Sequence, residues 1–307
     1  LVLATGIGAL SLNIFLPSLP AMARHFHVDY AVMQLSVSAY LAMSGLMQFF
    51  VGPISDRFGR RVVLLSVMAV FVVSTIGTLL APNATVFLVC RMLQSAVAAC
   101  FVLARAIVRD MVPADRAASM IGYVTMGMSL VPMIGPVIGG ALDEAFGWQA
   151  SFALLLLAGL ALAALIWGDL GETVARGGTG FRTQLRQYPQ LLASVGFWGY
   201  CLSGSTAAGL FYAYLGGAPF VGAHVFRLSP VEVGYFFAIP AVGYGIGNFL
   251  SGRYTVRVGL NAMVMAGTVL ATAALVVALA FDLSGINHPL IFFGCVGITG
   301  IGNGLAL

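Results

Sequence analysis

Gly52-Pro53-Ile54-Ser55-Asp56-Arg57-Phe58-Gly59-Arg60-Arg61, with Leu64 three residues on, is the densest charged patch in a chain that is only 8% charged. It lies between two long apolar runs, so it reads as a tight turn joining two membrane spans. Its glycines permit backbone conformations that other residues resist. Its arginines hold the turn on one side of a bilayer. A single carboxylate, Asp56, among Arg57, Arg60 and Arg61 reads as a lock that forms and breaks.

The rest of the chain fits that reading. Of its 307 residues 60% are hydrophobic, which leaves too little polar surface for a water-soluble fold of this size. A span needs about 20 apolar residues, and only a helix or a closed barrel satisfies its backbone in lipid. We expect ten helical spans, at about 1–23, 31–51, 62–80, 86–108, 119–142, 151–169, 191–216, 230–250, 260–281 and 289–307. The four cysteines (Cys90, Cys100, Cys201, Cys295) lie in apolar runs without metal or redox spacing, and no metal site or cofactor is expected. Fourteen arginines scattered over short loops do not form a nucleic-acid surface. No catalytic residue is expected, since there is no H-E-x-x-H, G-x-S-x-G or phosphate-binding glycine loop.

The stretch at 52–64 resembles motif A of the major facilitator superfamily, through Gly52, Ser55, Asp56, Arg57, Gly59, Arg60, Arg61 and Leu64. The resemblance implies an all-α integral membrane protein of two pseudo-symmetric bundles, with roughly twelve spans in all. The chain opens and stops inside apolar runs, and we expect two spans, and part of a third, beyond residue 307. The resemblance also implies that Asp110 accepts Arg60 of motif A. An exposed pair of that kind contributes only about 0–1 kcal/mol, so it biases a two-state equilibrium without driving it.

Three further stretches carry the same resemblance. Asn13-Ile14-Phe15-Leu16-Pro17-Ser18-Leu19-Pro20 is similar to the D-x-Y-L-P-x-L-P signature of the Bcr/CflA drug-efflux group, with Asn13 where that group has Asp. An amide cannot exchange a proton as a carboxylate does, so Asn13 reads either as part of a coupling site or as an interhelical hydrogen-bond donor. Arg91-Met92-Leu93-Gln94-Ser95 is similar to motif B. Arg91 and Gln94 share one helix face, and the pair is expected to face a cavity. Snorkelling of Arg91 to the membrane surface is the competing reading. Gly127, Pro132, Gly135, Pro136, Gly139 and Gly140 resemble motif C, typical of exporting antiporters. Prolines and glycines at this spacing bend a helix and let it pack closely on a neighbour.

The halves repeat. Gly252, Arg257 and Gly259 reproduce the spacing of Gly52, Arg57 and Gly59, with Val256 in place of Asp56. This divides the chain into a first bundle at 1–170, a linker at 171–190 and an incomplete second bundle at 191–307. One set of loops and flanks holds eleven arginines and the other two, which places the motif A face and the N-terminus in the cytoplasm. The functional expectation is a monomeric secondary transporter in a bacterial inner membrane. It would export small hydrophobic drugs by alternating access, coupled to protons. An uncoupled facilitator or importer is the alternative. A channel is the third reading, because Ala241-Val242-Gly243-Tyr244-Gly245 resembles a potassium filter.

Overall fold

The computed structural model describes residues 1–113, 120, 131–173, 189 and 192–306. Among these residues the structure is helical, with no strand. The first span is two helices, α1 (Val2–Asn13) and α2 (Leu19–His25), joined by a 3-10 turn at Leu16–Ser18. Pro17 and Pro20 carry no N–H, so the carbonyls of Asn13 and Leu16 lose their helical donors and the helix breaks there. The second and third spans are α3 (Tyr30–Phe58) and α4 (Arg60–Leu79). The fourth is again two pieces, α5 (Ala84–Gln94) and α6 (Ala99–Met111), with a 3-10 turn at Ser95–Ala98. Then come α7 (Val131–Phe146) and α8 (Gln149–Asp169). The later part consists of α9 (Val195–Phe220), α10 (Pro230–Val258), α11 (Leu260–Leu283) and α12 (Pro289–Ala306).

Among the described residues, eight helical stretches are long and apolar enough to cross a membrane. They match eight of the ten expected spans. Of the other two, α7 is described only from Val131, and Gly127 lies outside the described residues. Helix α9 has 26 residues but is rich in glycine, serine and tyrosine, which lowers its hydropathy.

The internal repeat is visible in the backbone. Helices α3 and α10 each run for 29 residues, and each ends at a glycine with positive φ: Gly59 at 98° and Gly259 at 91°. Only two non-glycine residues have positive φ among the described residues, His27 at 52° and Arg227 at 56°. They precede α3 and α10 by the same interval. The left-handed region costs an ordinary residue roughly 1–2 kcal/mol, so the same two corners are built twice.

The first part is held by an aromatic core. Phe15, Phe87 and Phe152 are fully buried, and Trp148 packs edge-on against Phe87 and Phe152. Gly147, at φ 83°, turns the chain so that Trp148 enters this cluster. In the later part, glycines set the spacing. A Cβ on Gly243 would collide with the Gly297 carbonyl, and one on Gly247 with the Ile301 carbonyl. The filter-like segment at 241–245 is therefore continuous helix packed on α12, not a re-entrant loop, and the channel reading loses its motif.

Candidate functional site

Arg60 is the centre of the motif A turn. The turn exists because Gly59 ends α3 in a conformation that favours glycine, so α4 begins at once and Arg60 is its first residue. Its guanidinium pairs with Asp56 at 2.5 Å and with Asp110 at 3.1 Å. It also donates to Ser55 Oγ. The side chains of Arg60, Asp56 and Asp110 are 11%, 20% and 26% exposed, so the network is only partly screened by water. The expected Arg60–Asp110 contact is thus present.

Two details differ from expectation. Arg57 is exposed and lies over the Phe58 ring at 5.3 Å, so the lock centres on Arg60. Arg61 turns the other way, donating to the Trp167 carbonyl at 2.7 Å and lying over its ring at 5.8 Å. A third detail has no counterpart in the motif. Glu172 Oε1 accepts from the Arg60 backbone N–H at 2.7 Å, so a carboxylate caps the positive N-terminal end of α4. Thr173 Oγ1 donates to Asp110 Oδ2 at 3.4 Å. The segment leaving α8 is thereby pinned onto motif A. All of these partners lie within residues 1–173. The network braces α3, α4, α6 and the end of α8 against one another.

Arg91 is fully buried, and so is Gln94. Snorkelling is excluded by that burial. The guanidinium donates to Gln94 Oε1 and to the Ser11 carbonyl (3.3 Å) and hydroxyl (3.5 Å). Gln94 Nε2 passes the chain on to Thr75 Oγ1 at 2.6 Å. Three rings surround the cation, with centroids at 4.3 Å (Phe15), 4.5 Å (Tyr40) and 5.7 Å (Phe152). Each desolvated cation–π contact contributes up to about 2 kcal/mol. Arg91 Nε has no hydrogen-bond partner among the described residues. The group thus sits inside the packing of the first part, held by neutral polar atoms and ring faces.

Asn13 ends α1 and is buried. It donates to the Ala9 carbonyl at 2.6 Å, while its Oδ1 is buried without a partner among the described residues. Motif C meets it here: a Cβ on Gly135 would lie 3.5 Å from Asn13 Cβ, and one on Gly139 would fall on the Ile14 carbonyl. The opposite side of α7 meets α10, where a Cβ on Gly140 would collide with the Pro230 carbonyl and one on Gly234 with the Pro136 carbonyl. The missing side chains let α7 touch two helices at backbone distance. Pro132 lies within α7, its side chain outside the described residues.

The earlier and later parts also meet where Tyr30 donates to the Gly216 carbonyl at 2.8 Å and packs at 4.9 Å on the Phe220 ring. This contact and the Gly140–Pro230 contact lie at the end of the bundle away from Gly59 and Gly259. The Gly59 end instead shows exposed Phe49, Phe58 and Val258. Among the described residues, a side chain at Gly52 would meet no atom within 4 Å of its Cβ, so none of them requires the small size of that residue in this conformation. In the repeat, Gly259 makes the turn, Arg257 is exposed, and Gly252 lies within α10. A cleft of about 410 Å³ opens between Arg24, His27, Tyr30 and His224 at the end away from Gly59. A small cavity of about 40 Å³ brings Phe211, Tyr214, Pro240 and Asn303 together.

The Major Facilitator Superfamily profile matches residues 1–307, so the chain belongs to that family of membrane transporters. The chloramphenicol resistance protein of Pseudomonas aeruginosa is 32% identical over 304 residues, covering 96% of this chain and 71% of that protein. The uncharacterized MFS-type transporter YdgK of Bacillus subtilis is 30% identical over 290 residues, covering 92% and 72%. Multidrug resistance protein D of Escherichia coli is 32% identical over 260 residues, covering 82% and 64%. Among solved structures, a bacterial homolog of the lysosomal transporter Spinster, inward-facing and occupied, superposes with a TM-score of 0.75 at 20% identity, covering 99% of this chain and 70% of that one. The D-xylose-proton symporter gives 0.75 at 14% identity, covering 99% and 79%. These two likenesses establish the fold alone.

Proposed function

We propose that the protein exports small hydrophobic or drug-like compounds by alternating access, as the names of its relatives suggest. Residues 1–170 and 191–307 act as two bundles that rock about a central pathway, joined by the linker at 171–190. The observation that carries this reading is the seam of α7. Its glycines touch the Ile14 carbonyl on one side and the Pro230 carbonyl on the other, so one helix links both bundles at one end. At the other end, Arg60, Asp56 and Asp110 keep the α3–α4 turn rigid while the bundles part. Asn13, Arg91 and Gln94 form the polar interior of the first bundle, next to the substrate path.

Arginine bias puts the motif A end and the N-terminus in the cytoplasm of a bacterial cell. The closed end then faces outward, and this conformation is open to the inside. The protein works as a monomer, with protons as the exchanged ion. An uncoupled facilitator has one observation in its favour: Asn13 stands where a proton-carrying Asp is expected, and no other carboxylate lies deep in an expected span. Accumulation of chloramphenicol in cells expressing the complete protein, with and without a protonophore, tests both readings. Export predicts lower accumulation that the protonophore restores. Unchanged accumulation of every compound in a drug panel would overturn the export reading, and protonophore-insensitive equilibration would favour the facilitator.

A further inference from the structure

The charges of this chain are distributed unevenly. Ten residues are acidic, and nine of them fall among the described residues. Every one of the nine lies in a connection, a helix cap or a terminal turn. Asp56 ends α3, Asp110 ends α6, Asp143 and Glu144 end α7, and Glu232 opens α10. The tenth, Asp115, comes shortly after the end of α6 in the sequence and lies outside the described residues. Arg91 is the exception to the pattern, a charge inside a span with 0% of its surface exposed.

Among the described residues, nothing of opposite charge accompanies it. Its partners are Ser11, Gln94 and the rings of Phe15, Tyr40 and Phe152. Its Nε is buried and unbonded. A guanidinium does not lose its proton in a protein, so the charge is permanent. Buried charges are screened far less than surface ones.

We propose that Arg91 sets the charge preference of the transport site, favouring neutral and anionic amphiphiles and rejecting organic cations. The proposal rests on the transporter reading above and names the substrate class for it. The effect acts through space, so Arg91 need not touch the substrate. For a ligand charge about 10 Å away in a medium of effective dielectric about 20, the interaction is worth roughly a tenfold change in affinity. It favours an anion and penalises a cation equally, so two otherwise identical ligands differ on the order of a hundredfold.

The test uses the complete protein, purified in detergent. Tetraphenylborate and tetraphenylphosphonium have the same shape and opposite charge, and triphenylphosphine oxide serves as a neutral reference. Dissociation constants come from quenching of tryptophan fluorescence. The expected result is tetraphenylborate binding at least about tenfold more tightly than tetraphenylphosphonium. Arg91→Gln should collapse that ratio to within about threefold, and Arg91→Lys should keep it. Equal binding of the two ions in the parent protein, or a ratio unchanged in Arg91→Gln, overturns the proposal. If Arg91→Gln does not fold, Arg91→Met, which also removes the charge, takes its place with the same expected collapse. A protein that binds none of the three probes, the neutral one included, contradicts the transporter reading itself.

Discussion

Gly140→Ala is the sharpest probe of the seam. A Cβ built at Gly140 lies 2.9 Å from the Pro230 carbonyl carbon and 3.1 Å from Val231 Cα. Carbon atoms in good contact sit about 3.5–4.0 Å apart, so α7 and α10 must separate by roughly half an ångström or more. Overpacking of this kind costs about 1–3 kcal/mol. In the two-bundle reading proposed above, the cost falls only on the state in which this end is closed. It therefore shifts the equilibrium away from that state by about 5- to 150-fold. The readout is an Ala218→Cys reporter in a background lacking the four native cysteines. Ala218 is 2% exposed on α9, at the same closed end. Maleimide labelling, supplied from each side of the membrane, should rise at least about fivefold in Gly140→Ala, from one side only. Gly168→Ala is the control, since it lies outside the motifs and no atom of the described residues lies within 4 Å of a Cβ there. Labelling and transport of Gly140→Ala equal to the parent would refute the reasoning.

Three other outcomes are expected. Arg91→Met removes the cation but leaves the buried Gln94 Oε1 and Ser11 carbonyl without their donor, so stability should fall by about 1–3 kcal/mol, read as a lower Tm, while the charge preference among substrates disappears. Gly59→Ala meets both a φ of 98° and the Glu172 carboxylate, and should lower stability by about 1–3 kcal/mol, read as a lower Tm. Asp143, just past the span that ends at 142, is partly buried, and burial pushes its carboxyl above the usual range against the pull of Ser18 and Arg24. The folded state then holds that proton more tightly than the unfolded one, so stability falls as pH rises from about 4 through the raised value. Asp143→Asn should flatten that part of the stability profile, and a slope unchanged by the substitution would rule the assignment out.

The span pattern and the motif A turn were legible in the sequence because both depend on local chemistry. A bilayer demands long apolar runs, and a tight turn at positive φ selects glycine. The repeat was legible for the same reason, since Gly59 and Gly259 do the same job twice. Glu172 was not, because its contact with the Arg60 N–H joins residues 112 apart in the chain. Only the folded path of α8 brings them together. Arg57 illustrates the reverse: a motif position is a prior about a residue, and the backbone then places this side chain over the Phe58 ring. The apolar burial of Arg91 was equally hidden. Spacing put it on one face with Gln94, but the three rings around it come from α8, from α3 and from the segment after α1. The filter-like run at 241–245 misled because glycines serve close helix packing as readily as ion coordination.

The central claim is that two bundles move as bodies about the α7 seam. Spin labels at 57 and 257 report the Gly59 end, and labels at 25 and 225 report the opposite end; all four positions are exposed. Pulsed electron paramagnetic resonance on the complete, reconstituted protein gives both distances with and without a transported compound. Rocking predicts opposite changes, with the 57–257 distance shortening as the 25–225 distance grows. Two distances that stay fixed, or that change in the same sense while transport proceeds, would contradict it.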